Sequence, residues 1–147
     1  MKLIIQRVKK ASVTVKNTNK IVGKIDSGLF ILFGVKKGDS KKNADELVEK
    51  VSKLRIMSDK NDKMNLSILD TKSSLLIVSQ FTLYANTKDG NRPSFIDAED
   101  PIEAKEMYEY FIEKLRLKNI NVETGEFGEY MEINCNLDGP VTITLEN

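Results

Sequence analysis

Hydrophobic and polar residues alternate near both ends of this chain, and between them apolar residues recur twice at helical spacing. Leu3, Ile5 and Arg7 share one side of a strand over residues 2–8, and Ala11, Val13 and Val15 continue the two-residue period. Asn17-Thr18-Asn19-Lys20 reads as a turn, after which Ile21 to Ile25 pairs back as a hairpin. Leu29 to Val35 is an unbroken apolar run, the mark of a strand covered on both faces. Ser40 opens a helix over about 40–55. Its stripe is Ala44, Leu47, Val48, Val51 and Leu54, and Lys41, Lys42, Lys50 and Lys53 stand on the other face. Met64 to Leu69 reads as a weaker strand, Ser74 to Leu83 as the central one, and 84–100 as a long connection. Asp100-Pro101-Ile102-Glu103 starts a second helix over 101–118. There Asp100 is the cap and Glu103 completes a capping box, with Ala104, Tyr108, Phe111, Ile112 and Leu115 buried. Met131, Ile133, Cys135 and Leu137 alternate again. Gly139-Pro140 then makes a corner, and Val141, Ile143 and Leu145 resume. The expected fold is α+β: one domain over 1–147, a curled, mostly antiparallel sheet and two main helices.

Composition narrows the chemistry. The 147 residues include no histidine and one cysteine. A Ser-His-Asp or Cys-His nucleophile, a histidine zinc site and an internal disulfide are therefore ruled out. Proton transfers fall to carboxylates, lysines, water or the substrate. Cys135 reads as packing. No apolar run approaches the roughly 18 residues of a membrane span, and the first residues lack a signal-peptide pattern. A cytoplasmic protein without a membrane partner is expected. The net charge of +1 hides a split: residues 1–72 hold 17 Lys/Arg against 8 Asp/Glu, and residues 73–147 hold 6 against 14. A basic face able to meet a polyanion follows, unless the fold interleaves the two halves.

Two stretches carry candidate chemistry. The central strand runs from apolar Leu75-Leu76-Ile77-Val78 into Ser79, Gln80, Phe81 and Thr82. Polar groups at the end of a buried strand need partners or lie where a ligand supplies them. Gly139-Pro140 breaks the C-terminal alternation, because proline has no N–H and a fixed φ. As an ordinary corner it would only turn the chain; as a rigid display it would offer main-chain groups to a ligand.

The order of short motifs adds a family. Gln6-Arg7-Val8, Ala11-Ser12-Val13, Lys63-Met64-Asn65, Ser79-Gln80-Phe81-Thr82-Leu83, Gly90-Asn91-Arg92-Pro93-Ser94-Phe95, Thr124-Gly125-Glu126-Phe127-Gly128 and Asp138-Gly139-Pro140-Val141-Thr142 follow one another along the chain. Together they resemble the D-aminoacyl-tRNA deacylases of the widespread bacterial and eukaryotic type. Leu137, Met57 and Asp62 depart from the family's usual residues, outside the two central motifs. The resemblance implies a homodimer in which a cis Gly139-Pro140 loop, with Val141 and Thr142, enters the partner's site and rejects L-amino acids. It implies that Ser79, Gln80, Phe81 and Thr82 form the catalytic wall and that Arg7 steadies the loop. The substrate would be D-aminoacyl-tRNA, with glycyl-tRNA expected as well because glycine has no side chain to clash. No cofactor or metal is implied.

Ester hydrolysis needs an oxyanion stabiliser, a placed water and a proton acceptor. Backbone N–H groups near Phe81 and Thr82 suit the first, and the ribose hydroxyl beside the ester suits the third. Two other readings stay open: a non-catalytic dimer that grips tRNA or another nucleic acid, and an esterase with Thr82 as nucleophile.

Overall fold

The computed structural model describes residues 1–88 and 90–147. Asp89, in the long connection, lies outside the described residues. In chain order the elements are β1 (Lys2–Val15), β2 (Lys20–Ile25), β3 (Gly28–Gly34), α1 (Lys41–Lys53), β4 (Met57–Ser58), β5 (Met64–Leu66), α2 (Ile68–Thr71), β6 (Ser74–Ser79), a 3₁₀ turn (Phe81–Tyr84), α3 (Pro101–Arg116), β7 (Val122–Thr124) and β8 (Met131–Glu146).

The unbroken apolar runs of β3 and β6 are explained by burial on both faces. Leu29, Ile31, Leu75 and Ile77 meet Leu47, Val51, Phe111 and Leu115 of the two long helices. Phe30, Leu76 and Val78 face the other way and fill the curl of the sheet with Val8, Ala11, Val13 and Ile25. Strand β1 serves both cores: its register against β8 shifts around Val8, so Leu3 and Ile5 belong to the helical side, and Ala11 and Val13 to the interior of the curl. A side chain of roughly Leu size contributes about 1.5–3 kcal/mol when fully buried, so these two layers carry most of the folding energy.

The strand order is β2-β1-β3-β6-β7, with β8 along the other flank of β1. The sheet is mostly antiparallel, as expected, with β1 antiparallel to β2, β3 and β8, but it is mixed, because β6 runs parallel to both β3 and β7. The strand boundaries need correction. Segments read as two strands, 2–8 and 11–16, are one strand with an irregularity. The last two, 131–137 and 141–145, are likewise one strand that stays against β1 past Gly139-Pro140. Strand β6 ends at Ser79, because its neighbour β3 ends at Gly34; Gln80 makes the last tie, N–H to the Phe33 carbonyl at 2.7 Å, and the chain winds into the 3₁₀ turn. The weak strand at 64–69 stops at Leu66. Ser67 caps the short α2, exchanging hydrogen bonds with Asp70. Asp100 caps α3 through the Ile102 N–H as expected, but Glu103 closes no box; the Asp100 N–H donates to Glu99 instead.

Closure of the curl depends on Gly23. A Cβ there would lie 2.4 Å from the Thr124 carbonyl oxygen, so only glycine lets β2 approach β7 this closely. The sheet is thereby bent nearly into a barrel.

Candidate active site

Ser79 sits opposite Phe33 at the end of the β3–β6 ladder, and Tyr108 of α3 donates its hydroxyl to the Ile77 carbonyl at 2.7 Å just before it. The strand end is therefore fixed from both sides. Beyond it the 3₁₀ bonds begin with the Leu83 N–H to the Gln80 carbonyl, followed by Ala85 to Thr82. That geometry leaves the first donors of the turn over. Among the described residues, neither the Phe81 nor the Thr82 N–H has a protein acceptor. The Thr82 hydroxyl accepts from Gln80 Nε2 at 2.6 Å. Among the described residues it makes no hydrogen bond to a carboxylate or amine that would activate it.

Phe81 is 58% exposed, unusual for so apolar a ring. Phe95 meets it edge-on, with centroids 5.0 Å apart. The contact is delivered by the long connection, where Asn86 and Ser94 exchange backbone hydrogen bonds of 2.7 and 2.8 Å and fold the chain back. Lys2 closes the other side, reaching the Leu83 carbonyl at 3.4 Å and lying over the Tyr84 ring. Tyr84 is buried, which pushes its hydroxyl above the ordinary tyrosine range.

Gly139-Pro140 lies elsewhere on the sheet. Thr142 pairs with Gln6 and Leu137 with Val8, so Asp138, Gly139, Pro140 and Val141 all stand opposite Arg7 alone. The excess residues leave the ladder as a bulge. Gly139 adopts φ +119°, and a Cβ there would meet Val141 Cγ2 at 2.9 Å; the position requires glycine. The Gly139–Pro140 bond is cis, and both residues are exposed. Val141 turns back onto the helical-side core.

Arg7 is 8% exposed and grips this bulge from below. Its Nε lies 2.9 Å from Asp138 Oδ2, and its Nη1 donates to the Ile56 carbonyl at 2.9 Å and to Ser58 Oγ at 3.3 Å. The guanidinium thus ties the bulge to the segment that follows α1. A guanidinium suits this better than a lysine, since Nη1 donates to the two acceptors while Nε faces the Asp138 carboxylate as an ion pair.

The structure therefore gathers Ser79, Gln80, Phe81 and Thr82 at one locus and Arg7, Gly139, Pro140, Val141 and Thr142 at another. It does not bring the two together within one chain. Arg7 is level with Leu29 and Leu75, four residues short of Ser79 along β6, and three strand spacings separate β8 from β6. At ~3.3 Å per residue and ~4.8 Å per strand, the loci are about 15–20 Å apart. Sequence reasoning missed Asp138 as the partner of Arg7, and Phe95 as the partner of Phe81. An acid next to a glycine bulge and an aromatic closing a long loop were the available signals. Cys135 is half-buried, and burial pushes its thiol up, as suits packing.

The family model described as D-Tyr-tRNA(Tyr) deacylase matches residues 4–146. A D-aminoacyl-tRNA deacylase of Thermosipho melanesiensis is 52% identical, covering 100% of this chain and 97% of its own length. One of Pseudoalteromonas translucida is 50% identical, covering 99% of each. Among solved structures, a chain described as c-Myc DNA Unwinding Element Binding Protein superposes with a TM-score of 0.92 at 36% identity, covering 100% of this chain and 99% of its own. Another, described as a probable eukaryotic D-amino acid tRNA deacylase, has a TM-score of 0.83 at 16% identity, with 98% and 97% covered, and is similar in fold.

Proposed function

Because this chain belongs to the D-Tyr-tRNA(Tyr) deacylase family, we propose that it hydrolyses the ester joining a D-amino acid to the terminal adenosine of tRNA, and that two copies complete each site. It is an enzyme of carboxylic ester hydrolysis, like the relatives it matches end to end. The observation that carries the two-copy reading is the separation of the two loci. Among the described residues, one chain has spare N–H groups at Phe81 and Thr82, and an outward Gly139-Pro140 bulge too distant to serve them. A two-fold arrangement lets each bulge face the other chain's Ser79–Thr82 segment.

In this reading a water adds to the ester carbonyl carbon, and the Phe81 and Thr82 N–H groups receive the oxyanion. The water's proton passes by way of the neighbouring ribose hydroxyl to the departing ribose oxygen. Free D-amino acid and tRNA are released. Thr82 acts through its main chain and its bond to Gln80, since among the described residues no carboxylate or amine hydrogen-bonds its hydroxyl. The exposed Phe81–Phe95 pair offers an aromatic face to the terminal base. Main-chain carbonyls hold the substrate amino group, and the Gly139-Pro140 bulge blocks the direction an L side chain would take. Selection is then by clash. Glycyl-tRNA passes the same test and is cleaved.

The test is deacylation of D-tyrosyl-, L-tyrosyl- and glycyl-tRNA, with a D-tyrosyl ester on 2′-deoxyadenosine-terminated tRNA as the mechanistic control. Cleavage of the D and glycyl esters, sparing of the L ester and failure on the deoxy substrate are expected. Rapid cleavage of the deoxy substrate would remove the ribose from the mechanism. A second reading, nucleic-acid binding without turnover, is favoured by the name of the 36% identical structural relative. It prevails if tRNA binds tightly and no ester is cleaved.

A further inference from the structure

Strands β1, β2 and β8 share an outward face opposite to the one that holds Ala11 and Val13 in the core. A groove of about 410 Å³ runs across it, lined by Lys10, Ser12, Ile21, Lys24, Asn134 and Asn136, with Cys135 at its base. The register builds it: Lys24, Ser12 and Asn134 stand side by side on the three strands, and Lys10 pairs with Asn136 one row on. The next residues of β8 are Leu137 and then the Gly139-Pro140 bulge, so the groove ends beside it.

We infer that this groove holds the sugar–phosphate backbone of the single-stranded 3′ end of the substrate tRNA; the inference rests on the deacylase reading above. Charge supports it first. From Lys9 to Ile25 there are five lysines and no carboxylate. Among the described residues none of the five forms an ion pair. The acids that border it stand at the ends: Asp26 follows β2, Glu132 lies opposite Thr14, where Asn134 donates to it, and Asp138, two residues beyond Asn136, is paired with Arg7. The other lysine-rich region differs. Lys36, Lys37, Lys41 and Lys42 are interspersed with Asp39, Asp97 and Glu99, which already accept from that segment or lie against it. An unneutralised basic strip is where a polyanion releases most counterions.

Chemistry supports it second. Lysines meet phosphates, while the serine hydroxyl and the two carboxamides can both donate to phosphate and bond ribose hydroxyls. The groove is narrow, three strands across, which suits one strand of nucleic acid and not a duplex. Position supports it third. In the two-copy site the bulge of one chain faces the other chain's Ser79–Thr82 segment, so a 3′ end arriving there must pass the groove that adjoins the bulge.

The test removes two charges from the groove, Lys10→Ala with Lys24→Ala, and two from elsewhere, Lys37→Ala with Lys42→Ala. Rates on D-tyrosyl-tRNA are compared with rates on D-tyrosyl-adenosine, which has no RNA to grip. The groove pair should lower the ratio of kcat/KM values about tenfold and flatten the log–log salt dependence by about 1.4, or about 0.7 for each phosphate left without its lysine. The control pair should leave both as in the parent. An unchanged ratio and slope in the groove pair, or an equal loss in the control pair, overturns the inference. If the parent cleaves neither ester, the deacylase reading fails instead. The groove is then judged by uncharged tRNA, whose Kd should weaken about tenfold in the groove pair and whose unchanged Kd would reject it.

Discussion

Replacing Arg7 separates the hold on the bulge from the rest of the fold. Arg7→Ala removes a charged donor from the Ile56 carbonyl, a hydrogen bond that contributes roughly 1.5–3 kcal/mol when one partner is ionised. It also strands Asp138. That carboxylate is 34% exposed, so water screens it and the ion pair counts for about 1 kcal/mol. The sum is about 3 kcal/mol, a large share of the roughly 5–15 kcal/mol that holds an ordinary domain together. For a chain of this length each kcal/mol moves Tm by about 2–4 °C, so a fall of about 6–12 °C is expected. Arg7→Lys keeps the charge but reaches fewer acceptors, and should lose about half as much. Thermal unfolding measures this half of the reasoning. The other half is chirality: with the bulge unseated, hydrolysis of L-tyrosyl-tRNA relative to D-tyrosyl-tRNA should rise roughly tenfold, equivalent to about 1.4 kcal/mol of lost discrimination. An Arg7→Ala protein that melts with the parent and keeps its D-to-L ratio would refute the idea that the guanidinium positions Gly139-Pro140.

Thr82→Ala should retain at least roughly a tenth of the parent kcat, since the main-chain N–H survives; a loss beyond about a thousandfold would restore Thr82 as nucleophile. Gly23→Ala should destabilise by about 2 kcal/mol, measured by urea unfolding, because a Cβ pushes β2 off the Thr124 carbonyl. Glu49 bonds Lys118 and Lys53, which hold its carboxyl at about 2 instead of 4.5. Its folded value lies below its unfolded one, so the stability it adds is present above pH 4.5 and lost as pH falls toward 2. Glu49→Gln should therefore show a shallower acid loss than the parent across that window, and an identical acid limb would dismiss the pairing.

The helices and the doubly buried strands were legible because their signals are local. Ser40, Asp100 and Pro101 mark starts, and the stripes of α1 and α3 are buried except at Leu54 and Ala104, which are partly buried. What could not be read was partnership. That β6 lies parallel to β3 and β7 depends on contacts between distant segments, and three-residue β7 carries almost no pattern of its own. The Ser79–Thr82 alternation imitates a strand, and only the end of β3 at Gly34 stops it being one. At Gly139-Pro140 the alternation on both sides is equally consistent with a corner between two strands and a bulge within one. Arg7 decides between them by facing four residues at once.

The distance between those two loci has a kinetic meaning. On the two-copy reading proposed above, an enzyme divided in this way would have no working monomer, and its turnover would depend on how often two copies are together. On dilution the rate per chain should fade before any helix melts, the total rate following the square of chain concentration and not its first power. Two differently crippled chains, one lacking the bulge and one lacking the Phe81–Thr82 turn, would by the same logic rescue each other when mixed, one good site per pair.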